Sequence, residues 1–500
     1  MSAADFMGSF PLVVLAVGAL LVLASAAFTR SLLLSFVVTL VALGVAIASS
    51  VALTARAPFT VTSFLSFDSF VLFGFALILG ATFFAAIGSW AALRTRGAEG
   101  GDFFFLFLLS ALGACILAAS AVFASFFLGL ELMSVSLYGL IGWRRESRRG
   151  TEAAIKYLLI AGASSAFLLF GMALFYADTG TMNLGRLAEA AQGPLAPVGL
   201  GMMLVGIGFK LAVVPFHLWT PDVYDGAPAP VTGFIATVSK GAMVVVLVRA
   251  FAPALVGTGG VNGLVGDGTG AASSAFPWVF AVIAGLSMFA GNILALRERN
   301  VKRILAFSSI AHLGYILVAF LAGGAEALRA VSFYLVAYFI TTLGAFGAIT
   351  ELSGPQKDAD DLSQYEGLAA RRPWLAAGFT AMLLSLAGLP LTAGFVGKVI
   401  ILRAGAGAQL WTLAVILAVN GTVSIFYYLK IVSAMFRGFA VHAEAGTTPP
   451  VAAGSPVAVS ARVPVLAGAA LIALTILVIA LGVFPSPLIA LIGSLSTGGL

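Results

Sequence analysis

The sequence contains few charged residues. Asp, Glu, Lys and Arg make up 9% of its 500 residues, whereas 61% of the residues are hydrophobic. Soluble domains carry roughly 25% charged residues, so this composition excludes an ordinary soluble protein. Apolar runs of a length that can cross a bilayer recur along the chain. We therefore expect an all-α, polytopic membrane protein that lies in a lipid bilayer.

Cysteine and histidine are also scarce. Cys115 is the single cysteine, and His217, His312 and His442 are the three histidines. One thiol excludes a disulfide framework and an iron–sulfur cluster held by this chain alone. The histidines are too far apart in sequence for a haem or zinc motif, and no glycine-rich phosphate loop follows a predicted strand. We expect this chain to have no metal site and no redox centre.

Hydropathy predicts fourteen membrane-spanning helices. The predicted spans are residues 9–28, 32–54, 69–93, 103–121, 123–143, 152–177, 197–224, 229–251, 276–296, 301–323, 326–351, 373–403, 408–436 and 463–492. Spans four and five have no polar linker between them, and only Ser120 with its small neighbours indicates a tight turn.

Positive charge is distributed unevenly among the loops. Sixteen Lys and Arg residues lie in loops after odd-numbered spans, whereas five lie in or beside the other loops: Arg56, Arg186, Arg249, Arg329 and Arg403. Cytoplasmic loops carry the excess of Lys and Arg, so the odd-numbered loops are predicted to be cytoplasmic and both termini periplasmic. The pI near 9.5 reflects this topology, and we expect no nucleic-acid partner.

The longest polar loop covers Ser353–Arg372 and contains four acidic residues. By this topology it is cytoplasmic, where it could contact a partner protein. The alternative is a solvated connector between two spans.

Two predicted spans contain helix breakers. Pro215 interrupts span seven, and Gly388, Pro390 and Gly394 interrupt span twelve. Because the two spans are five apart, spans 4–8 and 9–13 would have opposite orientations, as in inverted-repeat transporters. The predicted units are residues 1–100 (spans one to three), 101–251 (first repeat), 276–440 (second repeat) and 462–492 (span fourteen). Ordinary proline kinks are the alternative.

The four ionisable residues on which the functional prediction rests lie inside predicted spans: Glu131, Lys210, Lys240 and Lys398. A charge at the bilayer centre costs about 3 kcal/mol even on insertion scales, so such residues are expected to face the protein interior and to serve transport. Glu131 could pair with Lys210 across helices. The alternatives are packing roles and, for Lys398, partial snorkelling towards Arg403.

Two histidines are candidate proton relays. His217 follows Pro215, and His312 lies in span ten beside Ser308, Ser309 and Tyr315. Histidine exchanges protons near neutral pH, so both could join a transport path through buried Glu, Lys and His residues. Each could instead be a hydrogen-bonded packing residue.

Four segments of the chain resemble a known family. They are GFKLAVVPFHLWTPDVYDGAPAPVTGFIATVSKGA (208–242), LGLELMSVSLYGL (128–140), KRILAFSSIAHLGYIL (302–317) and GLPLTAGFVGKVIIL (388–402). Over essentially its whole length the sequence resembles the subunit N family of bacterial NADH:quinone oxidoreductase, respiratory complex I. The related subunits L and M and the Mrp-type antiporter chains share a fourteen-helix core of two inverted repeats. Two details are similar to subunit N. One is the motif HLWTPDVY, and the other is the lysine at position 398, where subunit M typically has glutamate.

This resemblance implies a proton-translocating membrane-arm subunit of an enzyme complex, a translocase. It implies that Glu131 and Lys210 form the family's functional pair, that Lys240 is its central lysine and that Lys398 is its terminal lysine. NADH, flavin, iron–sulfur clusters and quinone would bind to other subunits, and M-like and K-like subunits would be neighbours in the bacterial inner membrane. The alternatives are an Mrp-type cation/proton antiporter subunit and a structural membrane subunit with an inactive channel.

Overall fold

The computed structural model describes residues 3–95, 100–187, 193–256, 275–354, 357–437 and 465–496. Within these ranges the chain is almost entirely helical, which confirms the predicted fold class. One short antiparallel hairpin pairs β1 (Phe59–Val61) with β2 (Leu65–Phe67). His442 and the predicted boundary residues 438–440 and 462–464 lie outside the described residues.

The helices are bounded as follows: α1 Ala3–Phe28, α2 Leu32–Leu53, α3 Ser69–Thr95, α4 Gly101–Ala119, α5 Phe123–Ile141, α6 Arg148–Thr179, α7 Leu195–Leu211, α8 Trp219–Gly226, α9 Ala229–Phe234, α10 Lys240–Val256, α11 Ala275–Arg297, α12 Val301–Leu321, α13 Gly324–Leu352, α14 Leu368–Arg371, α15 Pro373–Ala387, α16 Ala393–Gly407, α17 Trp411–Phe436, α18 Val465–Val483 and α19 Ser486–Ser496. A π-helical turn, Ile235–Ser239, joins α9 to α10.

The predicted count of fourteen agrees with the structure. Twelve helical spans of the described chain are long and apolar enough to cross a membrane. The two interrupted spans, α7 with α8 and α15 with α16, complete the fourteen. The tight turn at Ser120 is confirmed, and its hydroxyl caps α4 by donating to the Leu117 carbonyl at 2.7 Å. The last span was predicted too long, because α18 ends at Val483, before Pro485, and a separate helix follows.

Both predicted helix breaks are present. Helix α7 ends where Ala212 adopts a left-handed backbone with φ of 59°, and Pro215 lies in the turn before α8. Helix α15 ends at Gly388 with φ of 83°. Gly394 was wrongly placed in the break, since it is the second residue of α16. A side chain there would collide with Ser385, because a Cβ would lie 1.8 Å from the Ser385 carbonyl oxygen.

The loops segregate to two ends of the helix bundle. At one end, Leu65 bridges to Ser120 and Val122 bridges to Asn183, which joins three loops predicted to be periplasmic. At the other end, loops predicted to be cytoplasmic meet where Asn300 bridges to Asp361. This grouping agrees with alternating membrane crossings; which end faces the cytoplasm stays a prediction.

The first helix pair of each predicted repeat packs backbone to backbone. In α4 and α5, Cβ atoms added to Gly113 and Gly129 would lie 2.4 Å and 2.5 Å from the facing backbone. In α11 and α12, Gly291 and Gly314 make the same kind of approach, at 2.6 Å and 2.8–2.9 Å from the partner helix. Small residues at these crossings let transmembrane helices approach closely. Gly171 and Gly199 make a similar approach between α6 and α7, so the division into two repeats stays a prediction.

The helices in the middle of the bundle are shielded from lipid by the rest of the chain. In each of the spans Ala229–Ala250 and Val301–Leu321, every residue of an 18-residue apolar window is buried. Large apolar side chains instead lie exposed on outer helices, such as Leu159 on α6 and Phe426 on α17. The buried spans contain Lys240 and His312, so the structure places these two polar residues at its centre.

Replacing Gly113 by Ala is expected to destabilise the protein by about 1–3 kcal/mol, because the new methyl group overpacks the α4–α5 contact. Gly80→Ala is the matched control, since a Cβ at Gly80 meets nothing within 4 Å. Thermal unfolding of the purified full-length chain in mild detergent, followed by circular dichroism, measures both. Equal effects of the two substitutions would contradict the proposed close packing.

Candidate functional site

The structure buries all three transmembrane lysines inside the protein. The exposed fraction is 1% for Lys210, 1% for Lys240 and 6% for Lys398. A buried ammonium group needs hydrogen-bond acceptors, because it has lost its water. The partners of each lysine therefore define the site.

Lys210 lies near the end of α7, one turn before the break. Its Nζ donates hydrogen bonds to Ser134 Oγ on α5 at 2.7 Å and to Tyr157 Oη on α6 at 3.0 Å. The same nitrogen lies 5.5 Å from the centre of the Tyr157 ring, a cation–π contact. Lys210 is thus held by hydroxyl groups, which can both accept and donate protons.

The predicted Glu131–Lys210 pair is indirect. Glu131 is half-buried on α5 and accepts a hydrogen bond from Ser165 on α6. The described chain contains no ion pair between Glu131 and Lys210, because the lysine contacts Ser134, one turn along α5 from Glu131. A cavity of about 10 Å³, lined by Lys210, Ser134, Ser164 and Ser165, lies beside these contacts. That volume is close to the least that one water molecule needs.

Lys240 is the first residue of α10 and directly follows the π-helical turn. Its Nζ donates to Ser309 Oγ on α12 at 2.5 Å and lies 5.4 Å from the centre of the Tyr224 ring. The Ser309 hydroxyl also contacts Tyr338 at 2.8 Å and Tyr224 at 3.3 Å. Single π turns inside helices occur frequently at functional sites, and this one sets the direction of the lysine.

His312 lies one turn after Ser309 on α12, and both of its ring nitrogens are hydrogen-bonded. Nδ1 bonds to Tyr334 Oη at 2.7 Å and Nε2 to Tyr428 Oη at 3.2 Å. Tyr428 also bonds to Ser308. The polar seam predicted around His312 is therefore present, and two tyrosines from α13 and α17 extend it.

Lys398 points back to the break of its own span. Its Nζ donates to the carbonyl oxygens of Leu386 at 3.0 Å and Ala387 at 2.7 Å, at the end of α15. A helix end leaves its last carbonyls without intrahelical partners and carries partial negative charge, so it suits a cation. Lys398 therefore does not snorkel to the surface.

A second polar cluster adjoins Lys398. Tyr315 lies under the ammonium group, with 5.3 Å from Nζ to the ring centre. Asn292 on α11 donates to Tyr315 Oη at 3.4 Å and to Asn420 Oδ1 at 3.1 Å, and it accepts a hydrogen bond from Tyr427 at 2.9 Å. The ring centres of Tyr315 and His312 lie 5.4 Å apart, so this cluster adjoins the cluster around His312.

His217 is not part of this arrangement. It lies in the turn between α7 and α8, and its buried Nδ1 has no hydrogen-bond partner in the described chain. None of the hydrogen bonds of the described residues joins it to the lysines. Of the two predicted relay histidines, the structure brings only His312 to the buried network.

The step between Lys210 and Lys240 contains an aromatic stack. Within the described chain, no continuous series of hydrogen bonds joins the two lysines. The Tyr157 ring packs against Trp219 at 4.9 Å, and Trp219 packs against Phe209 at 5.2 Å. Hydrogen bonds thus form one cluster around Lys240 and a second around His312. In the described chain the two clusters meet where the rings of Tyr338 and His312 lie 5.5 Å apart, centre to centre, and none of their hydrogen bonds reaches Lys210.

The sequence analysis missed the neutral members of the site. These are Tyr224, Tyr334, Tyr338, Tyr427, Tyr428, Asn292 and Asn420, all buried. The spacing of Tyr334 and Tyr338, four residues apart on one helix face, was the one available signal. Their partners come from other helices, so the spacing alone did not predict a site.

A buried ion cluster joins the predicted cytoplasmic ends of the helices that carry the site. Asp358 is 4% exposed, pairs with Arg144 after α5, and accepts from Lys302 Nζ on α12 at 2.9 Å. Its carboxylate also accepts from the Ala229 backbone N–H at 2.9 Å, at the start of α9. The solvated-connector interpretation of the Ser353–Arg372 loop is therefore wrong for Asp358.

Comparison with known proteins gives a consistent assignment. Residues 119–424 match the family model described as NADH:quinone oxidoreductase/Mrp antiporter, TM. The chain is 43% identical to NADH-quinone oxidoreductase subunit N of Ectopseudomonas mendocina over 85% of both chains. It is 41% identical to the same-named subunit of Methylococcus capsulatus over 96% of this chain and 93% of the relative.

A solved structure is similar over the full length. A chain of respiratory complex I from Thermus thermophilus with bound Aureothin superposes with a TM-score of 0.79 at 33% identity. The match covers 98% of this chain and 100% of that one.

Replacing Asp358 by Asn is expected to lower the free energy of unfolding by about 3–5 kcal/mol, because Lys302 and Arg144 would lose their buried counter-charge. Glu366→Gln is the matched control, since Glu366 and Arg437 form an exposed pair, which contributes at most about 1 kcal/mol. Cys115, the single cysteine, is fully buried, so its labelling by a thiol reagent reports unfolding of the purified chain. Similar labelling of both variants would contradict a structural role for the cluster.

Proposed function

Because this chain belongs to the NADH:quinone oxidoreductase/Mrp antiporter membrane family, we propose that it is the subunit N of a bacterial NADH-quinone oxidoreductase and translocates protons. The observation that carries the proposal is a series of two neighbouring hydrogen-bonded clusters, Lys240 with Ser309 and His312 with Tyr334 and Tyr428, whose side chains are all buried. A membrane protein buries such groups at a cost, and they mark ion paths.

Protons would move along this series by exchange between neighbouring groups. The Lys240 ammonium donates to the Ser309 hydroxyl, which contacts the Tyr338 hydroxyl. Hydroxyl and imidazole groups both donate and accept hydrogen bonds, so each can pass a proton on. His312 then lies between two tyrosine hydroxyls, and Lys398 follows beyond Tyr315.

The aromatic stack between Lys210 and Lys240 would be the gated step. A proton path that stayed continuous across the membrane would dissipate the potential, and one charge crossing 150 mV releases roughly 3.5 kcal/mol. The Tyr157 hydroxyl contacts Lys210, and the Tyr157 ring packs against Trp219 of α8. A shift of α8 would therefore open or close this step. Glu131 with Ser165 and Lys210 with Ser134, which line or adjoin the same small cavity, would load the proton on the other side of the stack.

Other subunits of the complex would supply the redox chemistry. Within the described residues, no group of three or more His, Cys, Asp or Glu side chains could hold a metal ion. As the family resemblance implies, NADH, flavin, iron–sulfur clusters and quinone would bind to other subunits, and the chain would be an enzyme subunit without its own redox centre. Its partners would be other membrane subunits, M-like and K-like, in the bacterial inner membrane, with both of its termini periplasmic.

The main alternative is an Mrp-type cation/proton antiporter subunit, because the matching family model covers both kinds of protein. Identities of 41–43% to named N subunits favour the oxidoreductase. A structural subunit with an inactive channel is the other alternative, and it gives no reason for the buried lysines.

Lys240→Met is expected to reduce NADH-driven proton translocation about tenfold or more, because removing the central ammonium raises the transfer barrier by at least roughly 1.4 kcal/mol. Methionine keeps an unbranched side chain of similar length, so packing is conserved. Acidification of inverted membrane vesicles, monitored with a fluorescent pH-gradient dye, measures the change.

Lys430→Met is the control for this experiment. Lys430 donates to the Glu298 carbonyl at 2.7 Å on the predicted cytoplasmic side and has no contact with the buried network. Both variants must co-purify with the NADH-oxidising subunits. If the Lys240→Met complex assembles and pumps at the wild-type rate, the result would favour a structural subunit with an inactive channel. If the chain co-purifies with antiporter subunits alone, the result would favour an Mrp-type antiporter subunit.

Tyr334→Phe is expected to slow proton translocation without loss of assembly. The substitution removes the hydroxyl that bonds to His312 Nδ1 at 2.7 Å, and an unsatisfied buried group costs about 1–3 kcal/mol. Tyr176→Phe, at an exposed position on α6, is the matched control. The same vesicle assay compares the two, and equal rates would remove Tyr334 from the path.

A further inference from the structure

Arg249 lies on α10, nine residues after Lys240, and its side chain is held unusually firmly. The sequence analysis counted it only as one of five cations near the predicted periplasmic loops. In the structure its side chain is 14% exposed. Nε donates to Asp68 Oδ2 at 2.9 Å, Nη1 to the Ala118 and Ser120 carbonyls at 3.1 Å each, and Nη2 to the Ser66 carbonyl at 3.3 Å. The guanidinium is therefore fixed by four acceptors.

Asp68 is fixed as firmly as Arg249. Its other carboxylate oxygen, Oδ1, accepts from the Val71 backbone N–H at 2.8 Å and caps the first turn of α3. The pair thus joins α10 to the start of α3 and, through the Ala118 and Ser120 carbonyls, to the turn between α4 and α5. Asp68 and Arg249 are the only ionisable residues that line the cavity beside them within the described chain.

That cavity has a volume of about 420 Å³, and polar and apolar groups both line it. Thr60, Thr62 and Ser63 form an exposed rim on the hairpin, and Ser120 and Asn183 also line the wall. The volume is far above what one water molecule needs, and hydroxyl and amide groups suit water. Water can therefore reach the Asp68–Arg249 pair from the predicted periplasmic side.

An apolar layer lies between this cavity and the buried network. The residues Val244 to Val248 are all apolar and between 1% and 4% exposed. Arg249 follows Lys240 by nine residues, which is about 13 Å along a helix axis. One layer of valine and leucine, closed by the ion pair, therefore separates the polar cavity from Lys240.

We propose that Arg249 and Asp68 form a proton seal at the periplasmic end of the first repeat. Arginine stays protonated in proteins and cannot relay a proton. Paired with this arginine, the Asp68 carboxylate is not free to carry a proton from the cavity water towards Lys240. The seal rests on the proposed function, because only a proton-translocating chain needs protection from back-flow at this point.

Arg249→Gln tests the seal by leaving Asp68 as an unpaired carboxylate at the bottom of a water-accessible cavity. Such a carboxylate attracts protons and exchanges them with water. The complex, purified with all its subunits, is reconstituted into liposomes without NADH, and a potassium diffusion potential drives protons inwards. Passive proton conductance is expected to rise about tenfold, the effect of lowering a barrier by roughly 1.4 kcal/mol.

The double variant Asp68→Asn, Arg249→Gln separates the electrostatic role from a structural one. It removes both charges, so conductance is expected to return to within about twofold of wild type, although more contacts are lost. Arg249→Lys keeps the positive charge and is also expected to stay tight, which provides a test if Arg249→Gln does not assemble. A leak as large in the double variant as in Arg249→Gln, a leak in Arg249→Lys, or no leak in Arg249→Gln would overturn the seal.

This result is independent of the Lys240 experiment. If Lys240→Met pumps normally while Arg249→Gln leaks and the double variant does not, the seal stands and the proposed path through Lys240 fails. If Lys240→Met stops pumping and all three Arg249 variants remain tight, the path stands and the seal fails.

Discussion

The cost of placing an ammonium group inside a membrane governs the architecture of this protein. Each buried lysine must find acceptors on other parts of the chain, because neither lipid nor its own intact helix provides them. Lys210 uses hydroxyl groups from α5 and α6, Lys240 uses one from α12, and Lys398 uses carbonyls freed where its own span is broken. The broken helices and the polar contacts between helices are therefore parts of one solution.

The two broken spans solve this problem differently. Lys210 precedes the break in its span and contacts hydroxyl groups, which can pass a proton on. Lys398 follows the break in its span and contacts backbone carbonyls, which only accept hydrogen bonds. Two halves with similar glycine packing thus hold their lysines by groups of unequal proton-carrying ability. In the proposed path, Lys210 would therefore be suited to exchange a proton and Lys398 to hold one.

Buried charges hold the helical segment that contains Lys240 on both sides of that residue. At the start of α9, the Asp358 carboxylate accepts from the Ala229 N–H, and nine residues after Lys240, Arg249 pairs with Asp68. Between these anchors, the π-helical turn is the part of the rod with a different hydrogen-bond pattern, and it directly precedes Lys240. The two anchors keep Lys240 beside Ser309. The π-helical turn between them is one place where the direction of the Lys240 side chain can change.

The sequence by itself determined the membrane class, the fourteen spans, both breaks and the burial of three lysines, because hydropathy, proline and scarce charge are local properties of the chain. Only the tertiary structure decided which groups surround those lysines. Tyr428 lies 116 residues from His312, and Asp358 lies 214 residues from Arg144, so no local pattern joins them. A tyrosine in an apolar span or an aspartate in a polar loop has an ordinary sequence context, and only packing makes it a partner. The direct Glu131–Lys210 pair failed for the same reason, since Ser134 reaches the lysine first.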